Sequence, residues 1–592
     1  MPNETYKSRI RGLMMDSTFQ KLFTPGYIGK LGIPNRIVMP PMGTGYGHLD
    51  GSVSQREMDY YTARARGGAG LIIITATKVE RLMEPSSFAL GSHFGAIDSD
   101  SLIAALADLA EAVHDYGAKI ALQLTSAFGQ NASVFTPEKV PPVSASAIPV
   151  IMNPAVICRP LTIEEIHFIV EAFGMAARRA MMAGFDMVEL HGHAGYLIDQ
   201  FISRLWNKRE DEYGGDLDGR MRFPVEIIAS IRKNTGPDLP ISFRLSVEHG
   251  IPGGRDTEES QEIARRLEGA GVDVIHASAG CYENFDLSLP STYMPDACLS
   301  GMASAIKEAV HIPVIAVGKI TPENGEDLLE NGRADFIATG RALVADPDWP
   351  QKVRTNRRQD VRPCIRCNEY CTRLFSLKTM SCTVNPCVGK ERYYKIEKTE
   401  TPKHVLVIGG GPAGMEAARV AKLRGHEVIL VEKATVLGGQ LPAAASPPFK
   451  KELRHLIQWW ERQLNQLGVD IRLNVEASPE MVAQMAPDAV VVATGARPVI
   501  PDIPGIQGDN VIGVVDYHLG RKPVGERIVV AGGGMAGCDA ALELAQQGKQ
   551  VTILEMLPQA AGDVNMVNRG TLLRLLTEWG VKIRVNSLLS QR

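Results

Sequence analysis

Between residues 17 and 345, short β-rich runs alternate with amphipathic helical stretches, and the pattern repeats eight times. The candidate strands are 35–42 (NRIVMPPM), 71–76 (LIIITA), 118–124 (AKIALQL), 186–191 (DMVELH), 240–246 (PISFRLS), 273–279 (DVIHASA), 312–318 (IPVIAVG) and 335–339 (DFIAT). Helical patterns at 101–116, 162–183, 221–233, 258–270 and 321–331 separate most of them. Apolar strands that alternate with helices pack as a parallel sheet with the helices outside it. Eight such units in roughly 330 residues favour a (β/α)8 TIM barrel, with an open doubly wound sheet as the alternative.

A chain of 592 residues holds more than one such domain. Residues 346–400 are rich in Arg and Cys and end in a polar stretch, Lys390–Lys403, that reads as a linker. A new α/β pattern then opens with VLVIGGGPAG, and a second copy opens at Arg527 with IVVAGGGMAG. In both copies an acid, Glu432 or Glu555, stands 23 positions after the first glycine of the fingerprint. The expected division is a tail at 1–16, a barrel at 17–345, a cysteine segment at 346–400 and two dinucleotide units at 401–504 and 505–592. The fold class is α/β throughout.

Lys and Arg (63) nearly balance Asp and Glu (67), and the net charge of −4 argues against nucleic acid or an anionic membrane as partner. Residues 1–7 carry no apolar signal core, and no apolar run approaches the length that spans a bilayer. A cytoplasmic enzyme acting on a small molecule, and forming a homo-oligomer in one version, is the expectation.

In Gly409-Gly-Gly411-Pro-Ala-Gly414, the first glycine permits a tight turn and the second lets a pyrophosphate approach the backbone. The third lets the helix pack on the strand, and Glu432 is placed for a ribose 2′-hydroxyl. Gly438, Gly439 and Gln440 follow. Gly532, Gly534, Gly537 and Glu555 repeat the scheme, and an acid at 555 repels a 2′-phosphate, so this unit prefers NADH. Tandem units of this kind resemble the FAD- and NAD(P)-binding halves of glutathione-reductase-like flavoproteins.

Five of nine cysteines fall within 364–387. Four thiolates suit a closed zinc site, but Cys364-x2-Cys367-x3-Cys371-x10-Cys382 lacks a second C-x2-C pair and better suits a [4Fe–4S] cluster. A place between a barrel and a dinucleotide module adds to that reading, because an electron relay is useful there. Cys158, Cys281, Cys298 and Cys538 read as buried small residues.

At the barrel strand ends stand Gln123, Arg244, Gly318 and Gly340-Arg341, which together make a coherent FMN site. Arg244 is placed to set positive charge by the N1/C2 edge of the flavin. Strand four ends in Glu189-Leu-His191-Gly-His193-Ala-Gly-Tyr196, where His191 can donate to a substrate carbonyl and Tyr196 can deliver a proton. His193 reads as out of phase with His191 and receives no role.

NRIVMPPM, ALQL, GYLIDQFISRLWNKREDEYGGDLDGRMRF, SFRLS, AVGKI and ATGRALVADPDW resemble the old yellow enzyme barrel. With CIRCNEYC…SCTVNP and the two fingerprints, the chain resembles the multidomain 2-enoate and 2,4-dienoyl-CoA reductase group. Trimethylamine dehydrogenase and the bile-acid-inducible flavin oxidoreductases share that architecture. The resemblance implies FMN, FAD, a [4Fe–4S] cluster and NADH. It also implies FMN contacts at Pro41, Met42, Gly43, Ala76, Gln123, Arg244, Gly318, Gly340 and Arg341. His191 matches a carbonyl donor, Tyr196 the proton-donating tyrosine, and Cys364, Cys367, Cys371 and Cys382 the cluster ligands.

Four departures carry weight. Gly43 stands where trimethylamine dehydrogenase-like members carry the Cys that bonds FMN, and Ala194 where many ene reductases have a second His or Asn. Tyr282 stands where dienoyl-CoA reductases carry a second His. The sequence stops 37 residues past Glu555, short of the return to the FAD unit that relatives make, so FAD affinity and reduction by NADH are the expected weak points. The expected function is NADH-dependent reduction of the C=C bond of an α,β-unsaturated carbonyl compound. The alternatives are a dehydrogenase of an amine or of a saturated CoA ester or ketosteroid, and a truncated barrel fed by an external donor.

Overall fold

The computed structural model describes residues 18–84, 95–132, 141–376 and 378–589. The expected tail at 1–16 lies outside them. Two compact units are present. The first comprises Met1–Pro290, Met294–Val361 and Asn368–Tyr393; the second comprises Ser291–Tyr293, Arg362–Cys367 and Tyr394–Arg592.

The first unit is built on eight parallel strands: β1 (Ile37–Met39), β2 (Leu71–Lys78), β3 (Lys119–Thr125), β4 (Met187–Gly192), β5 (Ile241–Ser246), β6 (Val274–Ser278), β7 (Val314–Ala316) and β8 (Phe336–Ala338). The sheet closes because β8 returns to β1 through Ile337↔Ile37 and Ala338↔Val38. Each expected strand run overlaps one of these, and closure decides for the barrel over the open sheet. A short strand, Gly95–Ala96, runs beside the end of β2.

Helices α1 (Gln55–Arg66), α2 (Ile103–His114), α3 (Ile163–Met182), α4 (Leu197–Ile202), α5 (Leu217–Thr235), α6 (Thr257–Gly269), α7 (Ser300–Ala309), α8 (Pro322–Glu330) and α9 (Arg341–Ala345) connect them. Helix α3 shows how local sequence fixes an element. Thr162 and Glu165 form a reciprocal capping box, worth about 1 kcal/mol, and Ile166, Ile169, Phe173, Ala176, Ala177 and Ala180 form its buried stripe. Gly174 lets α5 approach: a Cβ there would meet Asn234 Nδ2 at 2.5 Å.

Inside the barrel, Val38, Leu71, Ile73, Ala121, Met187, Val274, Ile315 and Phe336 form an apolar layer. Ile28 and Ile33, from an antiparallel hairpin of Gly26–Ile28 and Leu31–Ile33, pack into the same layer. Side chains along a strand alternate faces, so Glu189 and His191 follow Met187 inward on β4. The barrel interior thus passes from apolar to polar toward the carboxyl ends of its strands.

The second unit holds two parallel sheets. One is ordered Asp470–Leu473, Glu427–Glu432, His404–Ile408, Ala489–Val492; the other is Arg527–Ala531, Gln550–Leu554, Lys582–Arg584. In each, a glycine turn leads from a first strand into a helix, α10 (Pro412–Leu423) or α12 (Met535–Gln546), with α11 (Lys451–Leu467) between them in the chain. A last helix, α13 (Met566–Glu578), precedes Lys582–Arg584.

Candidate active site

Glu189 anchors the polar interior of the barrel. Its fully buried carboxylate accepts hydrogen bonds from Gln123 Nε2 and Ser242 Oγ and pairs with His276 Nδ1, all at 2.9 Å. Burial alone raises this carboxyl, but the charge and hydrogen bond of His276, then the charge of Arg244, hold it below the usual carboxylate range. Arg244 stands two positions beyond Ser242 on the same face of β5. Among the described residues its Nη1 reaches only the Pro41 carbonyl, at 3.4 Å, and its buried Nε has no partner. A guanidinium with unused donors in an interior of this kind calls for an acceptor.

His191 ends the inward series of β4 and is buried at 5% exposure. Burial, then the charge of Arg244, pushes its pKa down to about 3, so the imidazole is neutral at physiological pH and donates from one nitrogen only. The His193 ring lies 4.9 Å from that of His191, and its buried Nδ1 has no partner among the described residues. Burial and Arg244 hold His193 well below the usual histidine range. Residues two apart on an extended chain share a face, so the reading of His193 as out of phase is corrected.

Tyr196 stacks on His191 with ring centroids 4.1 Å apart. It is carried by a turn in which Ala194 (φ 57°) and Gly195 (φ 77°) are left-handed, a conformation that costs a non-glycine residue on the order of 1 kcal/mol. The turn is held from several sides. Ser246 Oγ receives the Ala194 N–H, Asn131 Nδ2 donates to the Ala194 carbonyl, and Asp199 Oδ2 receives the Gly195 N–H, each at 2.9 Å.

The Tyr196 hydroxyl lies 2.6 Å from that of Tyr282. Burial raises Tyr196, with the Tyr282 hydrogen bond and the Arg244 charge opposing the rise. Phe128, Tyr196, Tyr282, Phe285 and Phe375 form a chain of neighbouring rings with centroids 5.1–5.7 Å apart. Such spacing suits edge-to-face aromatic packing.

The other expected barrel positions collect at the same strand ends. Pro41, Met42 and Gly43 follow β1, and Ala76 sits in a register irregularity of β2 between Ile74 and Thr77. Gly43 is tight: a Cβ there would meet Leu374 Cδ2 at 2.5 Å. Gly318, at φ 113°, follows β7, and Gly340 follows β8, where a Cβ would meet Met42 Sδ at 2.9 Å. Arg341 opens α9 and donates to Asn368 Oδ1 at 2.5 Å. Unused donors of Arg244 beside glycine-lined strand ends fit a flavin with a phosphate tail.

In the second unit the two fingerprints have matching geometry. Gly409 and Gly532 have φ of 105° and 101°, and a Cβ on Gly414 or Gly537 would strike the carbonyl of Gly409 or Gly532. Glu432 accepts the N–H groups of Gly410 (2.6 Å) and Ala434 (2.7 Å); Glu555 accepts those of Gly533 and Leu557 (both 2.7 Å). Each acid is thereby pinned to its own glycine turn, as a ribose-reading carboxylate must be. The copies differ at the next loop. Gln440 donates to the Ala496 carbonyl at 2.7 Å, whereas Asp563 accepts the Met535 N–H at 2.9 Å.

Cys364, Cys367, Cys371 and Cys382 are partly buried, and the Cys367 carbonyl accepts from Asn568 Nδ2 at 2.7 Å. Among the described residues no set of three or more His, Cys, Asp or Glu converges on one point as ligands of a single ion. Four cysteine thiolates are the donor set that a [4Fe–4S] cluster takes. Among the described residues no helix is long and apolar enough to cross a membrane.

A closed barrel with this polar interior, joined to a paired dinucleotide module, defines a flavin- and pyridine-nucleotide-dependent oxidoreductase. Residues 21–360 match the model of the NADH:flavin oxidoreductase / NADH oxidase family, and the chain belongs to that family. Residues 403–591 match the pyridine nucleotide-disulphide oxidoreductase model. The chain is 44% identical to an NADH oxidase of Thermoanaerobacter brockii over 97% of its own length and 88% of that protein's. It is 40% identical to a cinnamate reductase of Clostridium sporogenes, covering 98% and 90%. The fold matches a 2-naphthoyl-CoA reductase structure with a TM-score of 0.90 and 31% identity, covering 97% and 89%. The cofactors are accordingly FMN for the barrel and FAD and NAD(H) for the C-terminal module.

Sequence reasoning gave Glu189, His276 and His193 no role and noted Tyr282 only as the residue standing where dienoyl-CoA reductases carry a second His. The two-residue spacing of His191 and His193 was a usable signal. The pairing of residues 189 and 276, on strands that flank β5, had none.

Proposed function

We propose that the chain reduces the C=C bond of an α,β-unsaturated carbonyl compound, favouring one that bears an aryl group, with NADH as reductant. The observation that carries this reading is Tyr196 stacked at 4.1 Å on a neutral His191, beside the Arg244 guanidinium. When bound, NADH, FAD, the cluster and FMN would supply the redox chemistry and deliver a hydride to the substrate β-carbon.

Pro41, Met42, Gly43, Ala76, Gln123 and Arg244 hold the flavin ring system, and Gly318, Gly340 and Arg341 its phosphate. Gly409, Gly411, Gly414, Glu432, Gly439 and Gln440 hold FAD; Gly532, Gly534, Gly537 and Glu555 hold NADH. Cys364, Cys367, Cys371 and Cys382 hold the cluster. His191 donates a hydrogen bond to the substrate carbonyl, which draws charge onto that oxygen. Tyr196, whose raised pKa keeps its proton in place at neutral pH, then gives that proton to the α-carbon.

The ring chain from Phe128 to Phe375 supports an aryl substituent, as do the names of the cinnamate reductase relative and the 2-naphthoyl-CoA reductase neighbour. The test is anaerobic NADH oxidation with cinnamate, crotonyl-CoA or a flavone. No turnover with any enoate or enone would refute the reading. Bleaching of the flavin by an amine without NADH would favour the dehydrogenase alternative.

A further inference from the structure

We propose that Tyr282 is a positioning residue that sets the proton-donating power of Tyr196. The inference rests on the ene-reductase reading. The two hydroxyls lie 2.6 Å apart with their rings at 88°, so one phenol donates directly into a lone pair of the other. Tyr282 is held in that pose by Phe285 at 5.1 Å and by Phe375 at 5.6 Å and 89°. The two tyrosine-bearing loops are also joined through a backbone bridge between Ala194 and Cys281.

The proton balance shows what this contact does. When hydride has reached the β-carbon, the α-carbon carries the electron pair that takes the Tyr196 proton. The Tyr196 O–H bond breaks, a C–H bond forms, and Tyr196 is left as a phenolate. Its neighbours His191 and His193 are neutral, Phe128 is apolar, and the positive charge of Arg244 acts without a hydrogen bond to it. Glu283 and Asp286 lie on the loop of Tyr282, and Glu283 is engaged by the Trp206 indole at 3.3 Å. The hydroxyl of Tyr282 therefore turns its proton toward the new phenolate, and solvent later restores the proton of Tyr196. A charge-assisted hydrogen bond of this kind is stronger for the phenolate than for the phenol, so it lowers the barrier to protonation.

The test uses the reduced holoenzyme, reoxidised by cinnamate in anaerobic stopped flow across pH. Tyr282→Phe keeps the ring and removes the hydroxyl. Its reoxidation rate should fall by about tenfold, the size expected for losing one charge-assisted hydrogen bond. Its alkaline limb should move to higher pH, because the lost bond had lowered Tyr196. Tyr282→His, which restores a donor, should recover part of both effects. Binding of 3-phenylpropanoate, read by perturbation of the oxidised flavin spectrum, should change less than about twofold. Rate and limb unchanged in Tyr282→Phe, with Tyr196→Phe slow, would overturn this inference and leave the function standing. A slow Tyr282→Phe with weakened binding and an unmoved limb would also overturn it, as a structural effect. Unchanged reoxidation in Tyr196→Phe would instead refute the functional reading.

Discussion

The Asp199 carboxylate receives the Gly195 N–H at 2.9 Å while it binds the Arg255 guanidinium at 2.7 Å. Both of its oxygens also lie 3.3–3.4 Å from His249 Nε2, and Asp199, His249 and Arg255 are buried. One buried ion pair thus fixes the left-handed turn that presents Tyr196. Asp199→Asn keeps the shape but leaves Arg255 without its counter-charge, and breaking a buried pair costs about 3–5 kcal/mol. The expected outcome is a lower midpoint in urea unfolding of the barrel and slower reoxidation of the reduced enzyme by cinnamate. Unchanged unfolding and reoxidation would show that the pair carries neither load.

A second prediction concerns acid. Burial and Arg244 depress His191 to about 3, whereas an exposed histidine in the unfolded chain titrates near 6.5. Between those values the unfolded state binds a proton that the folded state refuses, so stability rises with pH across the window and is lost as pH falls through it. The single group contributes up to about 1.4 kcal/mol per pH unit. His191→Gln should flatten the slope of unfolding free energy against pH between about 6 and 4. An identical slope would mean that His191 is not the neutral group described here.

The closed barrel was legible because strands buried on both faces read as short apolar runs, such as LIIITA and IPVIAVG, and because a parallel sheet needs a helix after each strand. The two fingerprints were legible because their glycines are demanded by backbone geometry, as the positive φ of Gly409 and Gly532 bears out. The interior chemistry was not. Glu189 meets His276 only after the barrel has closed, 87 residues apart in the chain, and no local pattern encodes that meeting. Tyr282 is joined to Tyr196 through an isolated bridge between loops, which leaves no periodicity to read. The segment Ser291–Tyr293 follows β6 in the chain yet clusters with the second unit, where Tyr293 donates to Asp539 Oδ1 at 2.7 Å. Such long-range choices are made by packing, which the linear pattern does not carry.

Glu555 offers a prediction on cofactor choice. Its two oxygens are held by the N–H groups of Gly533 and Leu557, and these bonds keep the carboxyl below its usual range, so it is charged at neutral pH. A fixed negative charge at the ribose position repels the extra phosphate of NADPH. Glu555→Gln should narrow the preference for NADH by about tenfold, since it removes the charge while keeping the shape. Flavin reduction rates with each nucleotide measure the ratio. A ratio that stays fixed would place nucleotide discrimination elsewhere.

Gly43 supplies the last test, because its tightness has a single named cause. A Cβ there would lie 2.5 Å from Leu374 Cδ2, the far end of a flexible side chain, while the next atom, Leu374 Cγ, is at 3.9 Å. Gly43→Ala therefore forces one rotamer to shift rather than a backbone to move, and overpacking of that order costs about 1–3 kcal/mol. Leu374→Ala alone opens space and costs part of its buried contact. If the clash is the whole effect, the double variant should be more stable than the sum of the single changes predicts, by an interaction of about 1 kcal/mol or more. The cycle is read by unfolding midpoints, with FMN content measured on each variant. Strict additivity would show that Leu374 is not what keeps position 43 a glycine.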